Sequence, residues 1–166
     1  MESIPVLTIE DVADIDGILQ DYIQKSESDL AVVVDKGGNV LSQFGDLEVI
    51  DVTIIGALAA GSFAATKELA KRIGEVEFNA LFHQGNGTHM FMTSVDEDTI
   101  MITVFGSETT IGLVRFYSTG AAKALAKILN VFRTRTSPGF NLSLIHISEH
   151  TRPRRISYPV FCLKKK

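Results

Sequence analysis

Two histidines, His83 and His89, flank the stretch Gly85-Asn-Gly87, and a pair of imidazoles is a natural place to look for metal chemistry. Asn-Gly, however, is a strong hairpin signal, and pairing across it sets His83 opposite Met90 and Gln84 opposite His89. Successive strand residues point to opposite faces, so the two imidazoles diverge, and neither a thiolate nor clustered acids complete a tetrahedral set. No metal is expected. Asp96-Glu97-Asp98 concentrates negative charge, but three consecutive side chains cannot converge on one cation, so a solvated turn is expected there. Arg115, early in the last helical stretch, could lend its charge to a partner's phosphates; the plainer expectation is a solvent-facing residue paired with an acid such as Glu108. Lys36-Gly-Gly-Asn39 resembles a nucleotide loop only superficially, because it joins two short strands. The phosphate loop with its lysine and the Gly-x-Ser-x-Gly elbow are both missing. Cys162 is a lone thiol without a placed base. No catalytic residue and no cofactor emerge, and an enzyme is not expected.

The elements around these residues are legible. Thr8 and Asp11 form a loose capping box ahead of Ile9, Val12, Ile15, Leu19, Tyr22 and Ile23 at helical spacing, which predicts a helix to about Lys25. The β-branched run from Leu30 to Val34 predicts a strand covered on both faces, and Asp35-Lys-Gly-Gly-Asn39 turns it into a second strand, Val40 to Phe44. A long Ala-rich segment from about Val49 to Ile73 ends at Gly74, a fitting C-cap. Three strands follow, at Phe78 to His83, Thr88 to Val95 and Ile100 to Phe105, and a last helix from about Ile111 to Phe132. Pairing across Asn86-Gly87 places Phe82 opposite Phe91 and Leu81 opposite Met92, with apolar bulk on both faces. The fold class is therefore α+β, a mostly antiparallel five-stranded sheet with helices on both faces, in the order α-β-β-α-β-β-β-α.

The middle helix is apolar on two opposed sides. At 100° per residue, Ile50, Ile54, Ala57, Leu58, Gly61, Ala65 and Leu69 gather on one side, the side expected to meet the sheet. Val52, Ile55, Ala59, Phe63, Thr66, Ala70 and Ile73 gather nearly opposite and need a second cover. A second copy of the chain is expected there, with Ala59, Ser62 and Ala70 allowing close approach and Phe63 as the anchor. On that expectation Phe63→Asp yields a folded monomer. The alternative is cover by another helix of the same chain.

Length and charge narrow the classes further. With 166 residues, of which 45% are hydrophobic, the chain suits one domain with its own core. The net charge of minus 4 provides no basic field for nucleic acid, and a single Cys excludes an internal disulfide framework. No uninterrupted apolar stretch approaches the roughly 20 residues of a membrane span, and Met1 to Thr8 lacks the blocks of a secretory signal, so a cytoplasmic protein is expected. The tail differs from the body. From Ser137 onward Arg152, Arg154, Arg155, Lys164, Lys165 and Lys166 stand against Glu149 alone, leaving the body at minus 9. The tail also holds Pro138, Pro153, Pro159 and Cys162, without clear periodicity. Residues 1–136 are read as the domain. Residues 137–166 are read either as a basic arm or as foreign sequence, since Ser143-Leu-Ile-His-Ile-Ser-Glu-His-Thr-Arg-Pro and Phe161-Cys-Leu-Lys-Lys-Lys resemble translated sequencing-adapter read-through.

Leu30-Ala-Val-Val-Val-Asp-Lys-Gly-Gly-Asn-Val-Leu41, Ile55-Gly-Ala-Leu-Ala-Ala-Gly-Ser-Phe-Ala-Ala-Thr-Lys-Glu-Leu-Ala70 and Gly112-Leu-Val-Arg-Phe-Tyr117 together resemble the Roadblock/dynein-light-chain family, especially its bacterial MglB-like members. The resemblance covers nearly all of 5 to 133. It implies a Roadblock-type fold and a non-enzymatic homodimer whose middle helices pack side by side and whose sheets join edge to edge. Such dimers are platforms for a small Ras-like GTPase, and MglB-like members are GTPase-activating proteins that reposition the GTPase's own catalytic groups. Carried onto this chain, Ile55, Ala59, Ser62, Phe63 and Thr66 form the seam, and Lys67, Lys71 and Arg72 meet the GTPase, the basic helix end complementing an acidic or phosphate-bearing surface. A small-molecule sensor holding a ligand between sheet and helix is the competing function.

Overall fold

The computed structural model describes residues 7–45 and 48–135. The tail from Ser137 and its Cys162 lie outside the described residues. The order of elements is α1 (Ile9–Ser26), β1 (Leu30–Asp35), β2 (Val40–Gly45), α2 (Val52–Arg72), β3 (Ala80–His83), β4 (His89–Asp96), β5 (Thr99–Phe105) and α3 (Ile111–Arg135). This is the expected α+β order.

Local chemistry accounts for the boundaries. The Thr8 side chain accepts from the Asp11 N–H at 3.1 Å while the Thr8 N–H donates to the Asp11 carboxylate at 2.9 Å, a reciprocal box that starts α1. Asp51 caps α2, accepting from the N–H groups of Thr53 and Ile54. At the other end Gly74 takes φ +89°, its N–H donating to the Lys71 carbonyl and that of Glu75 to the Ala70 carbonyl. Those are the two bonds of a Schellman close, and they satisfy carbonyls the helix leaves open.

All strand pairs are antiparallel, in the order β2-β1-β5-β4-β3. The β3–β4 register sets Leu81 opposite Met92, Phe82 opposite Phe91 and His83 opposite Met90, as the sequence predicts. The ladder stops at that last pair. Residues 84–88 form a wider loop than a two-residue turn, so Gln84 does not pair with His89; the Gly85 N–H donates to His89 Nδ1 at 3.2 Å instead.

Alternation along the strands divides the core in two. On one face α1 and α3 pack side by side, Ile15, Leu19 and Tyr22 meeting Val114, Leu125 and Leu129 over Val33, Phe91, Met101 and Phe105. On the other face α2 lies alone, over Val32, Val34, Met92, Ile102 and Val104. By length and composition α2 is long and apolar enough to cross a bilayer, with 21 residues and a mean hydropathy of 1.2, which the sequence reading did not anticipate. Here the helix seals one face of the sheet.

Candidate functional site

How α2 sits on the sheet determines what it offers to a partner. A Cβ on Gly56 would lie 3.0 Å from the Val34 side chain and 3.1 Å from the Gly38 carbonyl; one on Gly38 would lie 2.7 Å from Ala57 Cα. The helix therefore rides directly on the β1–β2 hairpin, and only small side chains fit beneath it. Gly56, Ala59 and Ala60 occupy that contact, and Phe63, 3% exposed, fills the space farther along.

The two apolar faces are consequently exchanged relative to the sequence expectation. Ala59, Phe63 and Ala70 are buried within the single chain, and Val52 and Ile55 are half-buried against the same cluster. Ser62 and Thr66 sit half-buried at its margin, the Thr66 hydroxyl donating to the Phe63 carbonyl at 2.7 Å. The face expected on the sheet is the one turned outward. Leu58 is 69% exposed, and Ile54, Ala57, Gly61, Ala65 and Leu69 are exposed as well, as is Ile73 at the helix end. Bulk decides between the faces: leucine and isoleucine at 54, 58 and 69 could not approach the hairpin as closely as glycine and alanine do.

Beside this face, Ile55, Leu58, Ala59 and Ser62 line a hollow of about 290 Å³ against His83, Met90 and Met92 of β3 and β4. The exposed helix face, the hollow and the edge strand β3 thus form one continuous apolar margin of the sheet. At the C-terminal end of α2 the three basic residues are held by exposed ion pairs: Lys67 with Glu77 at 3.7 Å, Lys71 with Glu68 at 3.9 Å and Arg72 with Glu68 at 3.5 Å. Such pairs contribute about 0–1 kcal/mol each, so the cations stay available to a stronger acidic partner.

The remaining candidates have structural partners. His89 packs against Phe105 (centroids 5.3 Å apart) and Phe82 on the α1/α3 face, whereas His83 lines the hollow on the α2 face. No metal-holding group of His, Cys, Asp and Glu occurs among the described residues. Arg115 lies over the Phe91 ring, its guanidinium carbon 5.6 Å from the centroid, instead of pairing with Glu108. The acidic turn is more than a solvated loop. Asp96 accepts a two-pronged contact from Arg133, one of whose two engaged amino groups also reaches the Thr99 hydroxyl at 3.1 Å. Asp98 pairs with Lys36 at 2.8 Å, and the Lys36 N–H donates to the Asp98 carbonyl at 2.8 Å. The hydrogen bond from Lys36 holds the Asp98 carboxyl below its ordinary value, and Asp96 raises the Arg133 guanidinium. Sequence spacing could not find these partners, because Arg133 is 37 residues from Asp96.

Comparison with known proteins agrees with this architecture. The Roadblock/LC7 domain model matches residues 15–105. Among solved structures, Myxococcus xanthus MglB is 32% identical with a TM-score of 0.72, covering 76% of this chain and 96% of its own. The gliding protein MglB from Thermus thermophilus is 26% identical with a TM-score of 0.72, covering 79% of this chain and 99% of its own. A structure described as MglB with tetrameric arrangement is 26% identical with a TM-score of 0.73, covering 80% and 99%. No curated protein matches the sequence.

Proposed function

Because the chain belongs to the Roadblock/LC7 domain family, we propose that it is a non-catalytic, homodimeric regulator of a small Ras-like GTPase, acting in the cytoplasm as a GTPase-activating protein. The observation that carries the reading is the outward face of α2, where Ile54, Leu58 and Leu69 stand exposed around the small residues Ala57, Gly61 and Ala65. Large aliphatics on a surface helix, with small residues between them, suit a second helix packed at close range. The seam is thus proposed on this face, in place of Val52, Ile55, Ala59, Ser62, Phe63, Thr66 and Ala70. Edge strand β3, next to the same margin, is free to extend the sheet across the seam.

The GTPase contact is proposed at Lys67, Lys71 and Arg72, whose charges flank the seam at one end of α2 and complement an acidic or phosphate-bearing surface. In this reading the chain inserts no catalytic group and instead repositions those of the GTPase. The test is single-turnover GTP hydrolysis by a Ras-like protein with and without the full chain. Faster hydrolysis that is lost in a Lys71→Glu, Arg72→Glu variant of unchanged mass supports the proposal. Unchanged turnover together with no co-purification overturns it.

A further inference from the structure

The solvent side of α3 departs from what an exposed helix needs. At 100° per residue, Gly112, Phe116, Gly120, Lys123, Lys127 and Val131 share one side, opposite the buried Val114, Leu125 and Leu129, and all six are exposed. Phe116 is 72% exposed, its ring held edge-on to Tyr117 with centroids 5.1 Å apart, and Val131 is 56% exposed. Phe116 lines a shallow hollow of about 570 Å³ together with Gly112, Arg115, Thr119 and Gly120. Glycine weakens a helix interior relative to alanine, yet packing within the chain does not require these two. A Cβ on Gly120 would meet nothing within 4 Å, and one on Gly112 only the Thr110 hydroxyl at 3.9 Å.

The same stripe is basic. α3 contains no acidic residue, and Lys123 and Lys127 stand in no ion pair among the described residues. Four residues apart, they rise about 6 Å along the axis, the spacing of two carboxylates one turn apart on a neighbouring helix. Arg115 adds an exposed charge at the Phe116 end. Across the groove between the helices, α1 presents Asp14 and Asp21.

We propose that the outer side of α3 docks an acidic amphipathic helix of a different protein. From Gly112 to Val131 the stripe runs about 28 Å, room for some five turns. The glycines on either side of Phe116 let a partner backbone come close around the ring, Val131 extends the apolar contact, and carboxylates of the partner face Lys123 and Lys127. A planar anionic membrane fits less well, because it meets Asp14 and Asp21 of α1 beside the lysines, whereas a ligand one helix wide follows α3 alone. The stripe lies on the other side of the sheet from α2, so docking leaves Lys67, Lys71 and Arg72 uncovered.

The test is selection of amphipathic helices of about 20 residues, displayed as a library with randomised polar positions, on the full chain. Phe116→Glu and the double variant Lys123→Glu, Lys127→Glu serve as counter-targets. All three residues are exposed, and thermal melts check the folding of both variants. Helices enriched on the unaltered chain should carry carboxylates four residues apart, and each variant should weaken them about tenfold or more in fluorescence-anisotropy titrations. Added salt should weaken the unaltered complex, and the double lysine variant should select lysine-bearing helices instead. Lys67→Glu with Lys71→Glu on α2 should leave the affinity unchanged. No enrichment, enrichment without acidic bias, or equal binding by the variants overturns the proposal. So does flotation with phosphatidylserine vesicles that Phe116→Glu abolishes, which assigns the stripe to a membrane. A mass by light scattering that Phe116→Glu halves overturns it as well, because a second copy then covers the stripe.

Discussion

The Tyr22 hydroxyl of α1 lies 2.8 Å from the Thr103 hydroxyl of β5, and both side chains are buried, so a polar bond fastens the helix to the sheet within a largely apolar layer. Burial pushes the Tyr22 phenol up from 10.0 to about 12. The folded state therefore holds this proton more tightly than the unfolded chain does. At roughly 1.4 kcal/mol per unit, the preference amounts to about 3 kcal/mol, present below pH 10 and lost as pH rises from 10 to 12. Spectrophotometric titration should show Tyr22 ionising together with unfolding. Tyr22→Phe should remove that pH dependence, at a cost of about 1–3 kcal/mol from leaving Thr103 without its partner.

Exchange of the α2 faces reverses the outcome of the most direct mutation. Phe63→Asp places an unpaired carboxylate in the cluster beneath α2 and should destabilise the fold by about 3–5 kcal/mol instead of giving a soluble monomer. Leu58→Asp, on the outward face, should leave the thermal melt within a few degrees and lower the mass by light scattering. A stable, folded Phe63→Asp protein would contradict the burial described above.

Gly38 takes φ +90° in the β1–β2 turn, against Ala57. Gly38→Ala meets both the left-handed backbone penalty and a backbone clash 2.7 Å away. A loss of about 1–3 kcal/mol is expected in urea unfolding. Lifting α2 off the hairpin should also disturb the outward face, so association should weaken in the same variant.

The Asp96–Arg133 contact ties the end of α3 to the β4–β5 turn. Asp96→Asn removes one charge from a partly buried pair and should cost about 1–2 kcal/mol, read as earlier fraying of α3 by hydrogen exchange. Asp98, held low by Lys36, acts in the ordinary carboxylate direction. Its contribution is present above the unfolded value of 3.8 and disappears as pH falls through the lowered folded value.

Local signals made most of the fold legible. Thr8 with Asp11, Gly74 and the Asn86-Gly87 pair each act over a few residues, and each marks an element or register the structure contains. The two apolar faces of α2 were also plain from periodicity. Their orientation was not, because periodicity weighs Leu58 and Phe63 alike. What decides is the space between helix and hairpin, and the overlooked clue was Gly56, a helix-interior glycine that is costly unless something must come close to it. Arg133 with Asp96 and Lys36 with Asp98 were out of reach for another reason: each pair is made by tertiary folding between residues that share no local pattern.

Lys36 grips Asp98 twice, through its main-chain N–H and through its ammonium, at the point where β1 and β5 begin their ladder with Asp35 opposite Thr99. Moving β1 one notch along β5 would tear both grips and swing Val33, now over α1 and α3, toward α2. The lysine thus serves as a pawl on a ratchet, fixing which half of each central strand belongs to which layer before any partner arrives.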